Sequence, residues 1–391
     1  MKFHLLATAA ALACAATGAW AQAQQGVAKD TLTVGTIQDL SGPLAGFGKQ
    51  ARNGMLLRVD EANEQGGIHG RKVVFKSEDS GYDPKRAVLA AQKLVNQDKI
   101  FAMVGHIGTA ANVATFGVLF PKKVINFYPL TGAREMFEEP NMRLKYAFSV
   151  PYYDQARTAT PRLVKEKGAK KVCTIYQDDE FGLEVMRGAE DGLKSIGMEL
   201  TEKTTYKRGA TDFSSQVAKM KAASCDFVVL GTVIRETIGT IGESRKTGFS
   251  PTFLGTTAAY TDLIHKLGGK AMDGLYATMT VQNPYTDEQS PSIRFWANKY
   301  KTKFNEDPTV FSVYGYNAID SFLRAVEKSG ANVTTESIIK AMDTMVIPPD
   351  IFGTGEMTFG PTKRLGSNAS RMSQITDGRW KVSSGYFSDK K

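Results

Sequence analysis

The order of the predicted strands and helices constrains the fold of this chain more than any other feature of the sequence. From Thr31 onward, short β-branched and apolar runs alternate with amphipathic stretches. The predicted elements of the first half are strands at 31–37, 72–79, 101–105 and 124–129, with helices at 47–64, at 84–97 and from Thr109. This alternation is typical of βαβ units, in which parallel strands form a sheet that helices cover.

The same alternation restarts after the segment PYYDQAR at residues 151–157. Its predicted elements are strands at 170–176, 199–206, 226–231 and 252–255, and helices that end at about Lys167, Ile196, Lys221 and Gly248. Two consecutive α/β halves predict an α/β fold with two doubly wound parallel-sheet lobes. No low-complexity linker separates the halves, so we expect multiple short hinge crossings rather than a tether.

The first residues predict export. Lys2 precedes an apolar run at residues 3–16, and the small residues that follow offer cleavage after Ala21 or Ala23. We assign residues 1–23 to a Sec-type signal peptide and expect a periplasmic protein. The apolar run is too short for a permanent membrane anchor. The absence of paired arginines argues against the route that exports proteins already folded around a cofactor.

The spacing of glycines near residue 46 indicates a dinucleotide-binding site as an alternative. The stretch GFGKQA at residues 46–51 fits the G-x-G-x-x-[G/A] fingerprint for a pyrophosphate at a helix N-terminus. In that fingerprint the first glycine directly follows a strand, whereas residues 38–45 intervene here. The acid pair Glu78–Asp79 also lies about ten residues beyond the usual spacing. We interpret the stretch as a loop that enters a helix, and we expect no NAD and no other cofactor.

Common enzyme and metal motifs are missing from the sequence. It contains no G-x-S-x-G, no H-E-x-x-H and no P-loop, and no two histidines are spaced four residues apart. The formal net charge of +9 is scattered over short mixed groups, which indicates solvated basic faces. We therefore expect no enzyme activity, no catalytic residues, no metal site and no nucleic-acid partner.

Two cysteines, Cys173 and Cys225, remain after removal of the signal peptide, and both border apolar strand-like runs. This placement favours two buried free thiols. The alternative is a disulfide between them, which an oxidising compartment would allow.

A candidate anion site follows the strand FAMV at residues 101–104. Gly105 and Gly108 would let backbone N–H groups approach a ligand, Thr109 adds a hydroxyl, and the following helix presents its positive end. No Lys stands in the P-loop position, so a carboxylate fits better than a phosphate. The same residues could simply form a tight turn capped by Thr109.

Several of these segments resemble the periplasmic leucine/isoleucine/valine-binding proteins, the solute receptors of ABC importers. The resemblance spans the chain after the signal peptide and rests on VGTIQDLSGPLAGFGKQARNG, VGHIGTAANVAT, QDDEFG and SVYGYNAIDSFLRAVEK, in that order. It implies a type I periplasmic binding fold, with ligand held between two closing lobes. We expect lobe 1 to comprise residues 30–149 and 283–355, and lobe 2 residues 150–282 and 356–388.

The resemblance also implies a set of ligand-binding residues. Phe47 stands where the family has an aromatic over the ligand, and Phe181 matches an aromatic of the second lobe. Thr109, with neighbouring N–H groups such as that of Gly108, takes the ligand carboxylate, and Thr131 and Gly132 lie on the next loop. Arg235 follows the strand DFVVLG, where the family's usual aromatic pair is missing, and is a candidate for a second polar contact. Thr257 and Tyr260 lie in the loop after the strand TFLG and complete the candidates.

Thr257 marks the main departure from the family. Relatives that bind α-amino acids place an acid there, which neutralises the ammonium group. Asp39, Asp178 and Glu236 are the substitutes that the sequence offers. An unpaired buried ammonium would cost several kcal/mol, which favours a small aromatic or branched carboxylate without an α-amino group.

We therefore predict a monomeric, non-enzymatic receptor of the branched-chain amino acid importer type, which delivers its carboxylate ligand to a membrane permease and its ATPase. The alternatives are branched-chain or aromatic amino acid binding by the same fold, a ligand sensor without transport, and an exported NAD-dependent oxidoreductase.

Overall fold

Two sheets organise the chain. The structure, a computed structural model, describes residues 24–388, so the predicted signal peptide at 1–23 lies outside the described residues. The strands are β1 (Thr31–Gln38), β2 (Lys72–Asp79), β3 (Ala102–Val104), β4 (Ile125–Phe127), β5 (Lys145–Tyr146), β6 (Val172–Gln177), β7 (Leu200–Tyr206), β8 (Phe227–Gly231), β9 (Thr252–Gly255), β10 (Tyr276–Met279), β11 (Val346–Ile347), β12 (Met357–Thr358), β13 (Ala369–Thr376), β14 (Arg379–Val382) and β15 (Phe387–Ser388).

Helices connect the strands and cover the sheets. They are α1 (Ala45–Glu64), α2 (Pro84–Asn96), α3 (Thr109–Leu119), α4 (Tyr152–Lys167), α5 (Glu180–Lys194), α6 (Ser214–Ala222), α7 (Ile234–Lys246), α8 (Leu263–Gly268), α9 (Pro291–Phe304), α10 (Val310–Ser329) and α11 (Thr335–Met342). Short 3₁₀ turns lie at Phe120–Lys122, Arg134–Met136, Met142–Leu144 and Gly269–Met272. Among residues 24–388, no helix combines the length and apolarity that crossing a bilayer requires.

The strand order confirms the predicted α/β fold. The first sheet has the order β2-β1-β3-β4-β5, with every neighbouring pair parallel. In the second sheet the order is β14-β13-β10-β9-β8-β6-β7, parallel from β10 to β7 and antiparallel where β13 and β14 join. Short helical crossovers between adjacent parallel strands produce this doubly wound arrangement.

We call the first sheet with α1–α3 and α9–α11 the first lobe, and the second sheet with α4–α8 the second lobe. Helix α10 returns to the first lobe and packs along α1. Gly54 and Gly315 permit this close contact, because a Cβ at Gly54 would collide with the Ser312 carbonyl and one at Gly315 with the Ala51 carbonyl. A sequence segment remote from α1 thus completes the first lobe.

The chain crosses between the lobes in three segments, after β5, after β10 and after β12. Strand β12 pairs antiparallel with β11, which follows the helices of the first lobe. The chain joins the second sheet only at β13, which pairs with β10. The crossings lie side by side, since Ala147 N–H donates to the Arg364 carbonyl at 2.8 Å.

The expectation of two free thiols is wrong, because Cys173 and Cys225 form a disulfide. Their Cα atoms lie 6.0 Å apart, within the usual range for a disulfide. Strand β7 pairs on the other side of β6, so β6 and β8 are neighbours and bring the two cysteines together. That strand order is not readable from the sequence around either cysteine.

Candidate ligand-binding site

A cavity of about 40 Å³ lies between the lobes, whereas one water needs about 10–15 Å³. Its walls come largely from loops at the carboxyl ends of strands, the usual position for ligands in parallel α/β sheets. The first lobe contributes Leu44, Phe47, Tyr82, Ile107, Gly108, Thr109, Leu130, Thr131, Phe148, Ser149, Phe311 and Tyr314. The second lobe contributes Tyr152, Phe181, Val233, Thr257 and Ala258.

The lining is neutral. Within the described residues, the cavity wall includes no Asp, Glu, Lys, Arg or His side chain. A charged ligand group would therefore meet only hydroxyls, backbone groups and the ends of helices. This neutrality limits which charges the cavity can accept, since a buried ion is costly without a partner.

One end of the cavity is built around the first turn of α3. Gly108 caps this helix at a φ of 90° and has no side chain that could bond the first N–H groups. Those groups have no intrahelical acceptor and carry the positive end of the helix dipole. A Cβ at Gly108 would lie 3.0 Å from the Tyr82 ring, so glycine leaves the helix end open to a ligand.

Hydroxyl groups surround this helix end. Thr109 Oγ1 lies 2.6 Å from Thr131 Oγ1, and the Tyr152 hydroxyl also bonds Thr131. A phenol of ordinary pKa is already protonated at neutral pH, and burial raises the pKa of Tyr152 further, so its O–H can donate to a ligand. Together these groups form a cluster of neutral donors that suits a carboxylate.

Aromatic rings form the apolar walls. The Phe47 and Phe311 rings stack with centroids 3.7 Å apart, and the Tyr152 ring packs edge-on against Phe181 at 4.9 Å. Phe47 is only 2% exposed because Phe311, from its own lobe, covers it. These rings offer a flat apolar surface on both sides of the cleft.

At the opposite wall, Thr257 is held by a neutral amide. Its N–H donates to Gln155 Oε1 at 2.9 Å, and Gln155 Nε2 donates to Thr257 Oγ1 at 3.1 Å. Gln155 is fixed in turn by the Thr278 hydroxyl at 2.6 Å and by donation to the Val150 carbonyl at 2.6 Å. No ionised group takes part in this network, which lies where amino acid receptors are expected to have an acid.

Three acids could take the role of the acid that is missing at Thr257. Each of them either forms other contacts or lies away from the cavity. Asp39 accepts the N–H groups of Ser41, Gly42 and Leu44, and so closes the loop before α1. Asp178 pairs with an exposed lysine. Glu236 is 1% exposed, and its burial raises the pKa of the carboxyl group. None of these three belongs to the described cavity wall.

Most of the predicted ligand-binding residues line the cavity, namely Phe47, Gly108, Thr109, Thr131, Phe181 and Thr257. Three do not. The Gly132 carbonyl is occupied by the Tyr152 N–H at 2.7 Å. Arg235 lies in the first turn of α7, off the cavity wall. The Tyr260 hydroxyl accepts the Asn283 N–H at 3.1 Å, and its ring packs on Trp380. This side chain therefore does not line the cavity.

Sequence reasoning missed other parts of the wall. Tyr82 follows the carboxyl end of β2, and the rule for parallel sheets could have identified it. Phe311 and Tyr314 come from α10, and their periodic pattern looks like that of any buried helix face. Only the packing of α10 on α1 places them in the cleft.

Polar contacts join the lobes at the edge of the cavity. Gln177 Nε2 of the second lobe donates to the Tyr82 hydroxyl of the first lobe at 3.1 Å. The Arg208 guanidinium lies 4.7 Å from the centre of the Tyr82 ring and pairs with Asp179 at 2.6 Å. Tyr82 itself has a φ of 61°, a strained conformation for an aromatic residue. The structure therefore shows the cleft closed around the cavity.

The residues described provide no obvious metal site, since no group of three or more His, Cys, Asp or Glu side chains within 24–388 could hold an ion.

Comparison with known proteins relates this chain to binding proteins, both by the family model and by individual relatives. Residues 31–379 match the family model described as periplasmic binding protein. The Leu/Ile/Val/Thr-binding protein of Salmonella typhimurium is 25% identical over 321 residues, which cover 82% of this chain and 86% of that protein. A Pseudomonas aeruginosa protein that binds leucine, isoleucine, valine, threonine and alanine is 24% identical over 311 residues, or 79% of this chain and 81% of that one.

Solved structures share the fold. The fatty acid ABC transporter substrate-binding protein of Thermomonospora curvata superposes with a TM-score of 0.85 at 22% identity, covering 94% of this chain and 95% of that one. An ABC transporter solute-binding protein of R. palustris, in complex with benzoate, has a TM-score of 0.81 at 18% identity, covering 92% and 98%.

Proposed function

This chain belongs to the periplasmic binding protein family, and on that premise we propose that it binds a small carboxylate lacking an α-amino group for an ABC importer. Its relatives are solute-binding proteins. The role proposed here is reversible binding and delivery to a permease and ATPase, with the monomeric receptor in the periplasm.

The proposed ligand class rests on the chemical groups of the cavity wall. The described cavity wall contains donors for a carboxylate but no acid for an ammonium. An ammonium enclosed there would lose its hydration without gaining a counter-charge, at a cost of several kcal/mol. The hydroxyls of Thr109, Thr131 and Tyr152, with the N-terminus of α3, instead favour a negative group.

The apolar walls indicate the rest of the ligand. Phe47, Phe181 and Phe311 can enclose a flat ring or a branched acyl group. Proteins of the same fold are described as binding a fatty acid or benzoate. Those ligands belong to those proteins, but they support the view that this fold accepts carboxylates without an amino group.

Lobe closure explains how binding would be signalled. The cavity draws residues from both lobes, so a ligand makes all of its contacts only when the cleft is shut. Its differential affinity for the closed form then shifts the population toward that form. A permease that recognises the closed surface would receive only loaded receptors.

Amino acid binding by the same site is the second candidate, because curated relatives bind leucine, isoleucine and valine. It requires the ammonium to be satisfied by neutral acceptors alone, such as the Thr257 hydroxyl and nearby carbonyls. The two candidates differ in one functional group of the ligand.

Calorimetric titration with matched ligands separates them. Protein freed of endogenous ligand by unfolding and refolding would be titrated with leucine against 2-oxoisocaproate, and with phenylalanine against phenylacetate and benzoate. We expect binding of amine-free acids and weak or absent binding of the amino acids. Tight leucine binding without binding of 2-oxoisocaproate would overturn the ligand proposal and leave the receptor role intact.

A further inference from the structure

A second cavity of about 240 Å³ lies at the hinge, where the crossing segments meet. Its inner surface is mainly apolar, with Val150, Val281 and Met357 exposed by 2%, 1% and 4%. Thr280, Thr354 and Ser367 add hydroxyl groups to the lining. Glu356 and Tyr386 lie at its exposed rim. The hinge cavity is thus a mainly apolar space that opens to solvent on one side. It is larger than the cavity between the lobes, which we call the ligand cavity.

Phe148 borders both cavities. Its ring packs against Tyr128 and Tyr314, with centroids 5.1 Å and 5.6 Å away. Tyr314 lines the ligand cavity, and its hydroxyl lies 3.3 Å from the hydroxyl of Thr280, which lines the hinge cavity. A single layer of side chains therefore separates the two spaces.

We infer that Phe148 sets the maximum length of the ligand by closing the ligand cavity off from the hinge cavity. This inference rests on the proposed function, because it concerns the apolar body of the carboxylate bound there. With Phe148 in place, the ligand must be compact. With a smaller residue at this position, an alkyl or arylalkyl chain can pass from the ligand cavity into the hinge cavity, whose apolar lining suits it.

The size of the effect follows from burial of apolar surface. Each methylene group that enters the hinge cavity should improve affinity about four-fold, since burying one is worth about 0.8 kcal/mol. The carboxylate end is unchanged in such a variant. The expected signature is therefore a shift of the preferred chain length and not a uniform change in affinity.

The test is a chain-length profile measured by calorimetry with straight-chain acids from butanoate to dodecanoate, for the wild type, Phe148→Leu and Phe148→Ala. The wild type should bind short acids best and lose affinity as the chain lengthens. Both variants should move the optimum to longer acids, Ala further than Leu. Thermal unfolding verifies that each variant is folded, and Phe148→Leu retains most of the packing if Phe148→Ala does not fold.

Val150→Ala is the matched control. It enlarges the hinge cavity but leaves Phe148 in place, so its profile should follow the wild type. The inference is overturned if folded Phe148 variants keep the wild-type profile, if Val150→Ala shifts it as much, or if the wild type already binds long acids as tightly as short ones.

A parallel series of straight-chain α-amino acids, from 2-aminobutanoate to 2-aminododecanoate, separates this inference from the ligand proposal. If the wild type binds only the amino acids, the proposed ligand class is wrong, and the same comparison of variants still decides the role of Phe148.

Discussion

Arg208 of the second lobe lies over the Tyr82 ring of the first lobe, with 4.7 Å between the guanidinium carbon and the ring centre. Its Nη1 donates to the Tyr82 carbonyl at 3.4 Å, while Asp179 holds the other side of the guanidinium. Tyr82 also lines the ligand cavity. One side chain thus contacts both the ligand space and the opposite lobe.

Arg208→Ala should weaken ligand binding by about 1–2 kcal/mol, or roughly 5–30-fold, because the closed form loses a cation–π contact and a hydrogen bond. The loss should be similar for every ligand, since Arg208 contacts Tyr82 and not the cavity. Calorimetry gives the affinities, and small-angle scattering at subsaturating ligand gives the fraction closed.

Lys207→Ala is the control for this experiment. Lys207 is the neighbouring residue and pairs with Asp178 inside the second lobe. An equal loss of affinity in both variants would show that general electrostatics, and not the contact with Tyr82, governs closure.

Thr257→Glu should weaken an amine-free carboxylate, because it brings a second negative charge into a neutral cavity next to Gln155. The same variant should gain weak affinity for leucine or phenylalanine, whose ammonium supplies the missing partner. Paired calorimetric titrations measure both effects.

Thr257→Gln has nearly the same size as Thr257→Glu but no charge, so it isolates the electrostatic part. Equal weakening by Glu and Gln would attribute the effect to crowding and would remove this support for the ligand class.

Glu184 should make stability depend on pH near neutrality. Burial, with the charge of nearby Glu135, raises the pKa of Glu184 from 4.5 to about 7, while Arg134 and the Tyr153 N–H oppose the rise. At pH values between about 4.5 and 7, Glu184 is protonated more often in the native state than in the unfolded state. The free energy of unfolding therefore falls as pH rises from about 4.5 to 7, by up to about 1.4 kcal/mol per pH unit.

Glu184→Gln should remove this decline, as measured by urea unfolding of the ligand-free protein across that range. Glu180→Gln, which deletes an exposed carboxylate from the same helix, is the comparison. Wild-type and Glu184→Gln curves that run parallel in pH would contradict the assignment.

Removing the disulfide should destabilise the second lobe. Cys173 and Cys225 are separated by 52 residues, and closing a loop of that length is worth up to about 4 kcal/mol in the chain-entropy description. The double variant Cys173→Ala, Cys225→Ala should show a lower denaturant midpoint but nearly unchanged ligand affinity, since neither residue lines the cavity. An unchanged midpoint would show that strand packing alone secures β6 and β8.

Local sequence patterns determined the element order well. The predicted strand at 72–79 coincides with β2, and the helix expected from about Phe47 begins at Ala45. The stretch GFGKQA, interpreted as a loop that enters a helix, lies entirely within α1, which already begins at Ala45. These features depend on periodicity and on turn residues, which act over a few positions. The resemblance to the binding-protein family is confirmed by the family match.

The site could be predicted only in part. Thr109 and Thr257 lie within five residues of the carboxyl ends of β3 and β9, and loops at these strand ends face the cleft of a doubly wound sheet. Tyr260 follows the same strand as Thr257, yet it points into the second lobe against Trp380. Sequence order fixes which loop a residue occupies, but packing fixes the direction of its side chain.

The sequence by itself thus determined the α/β class, the two-lobed order of elements and the loops that face the cleft. Tertiary structure alone decided that Cys173 meets Cys225, that Phe311 covers Phe47 and that Arg208 reaches Tyr82. Each of these pairs joins residues far apart in the chain. Such contacts depend on strand order, helix packing and lobe closure, whose free energies come from burial and complementarity across the whole molecule rather than from any local run of residues.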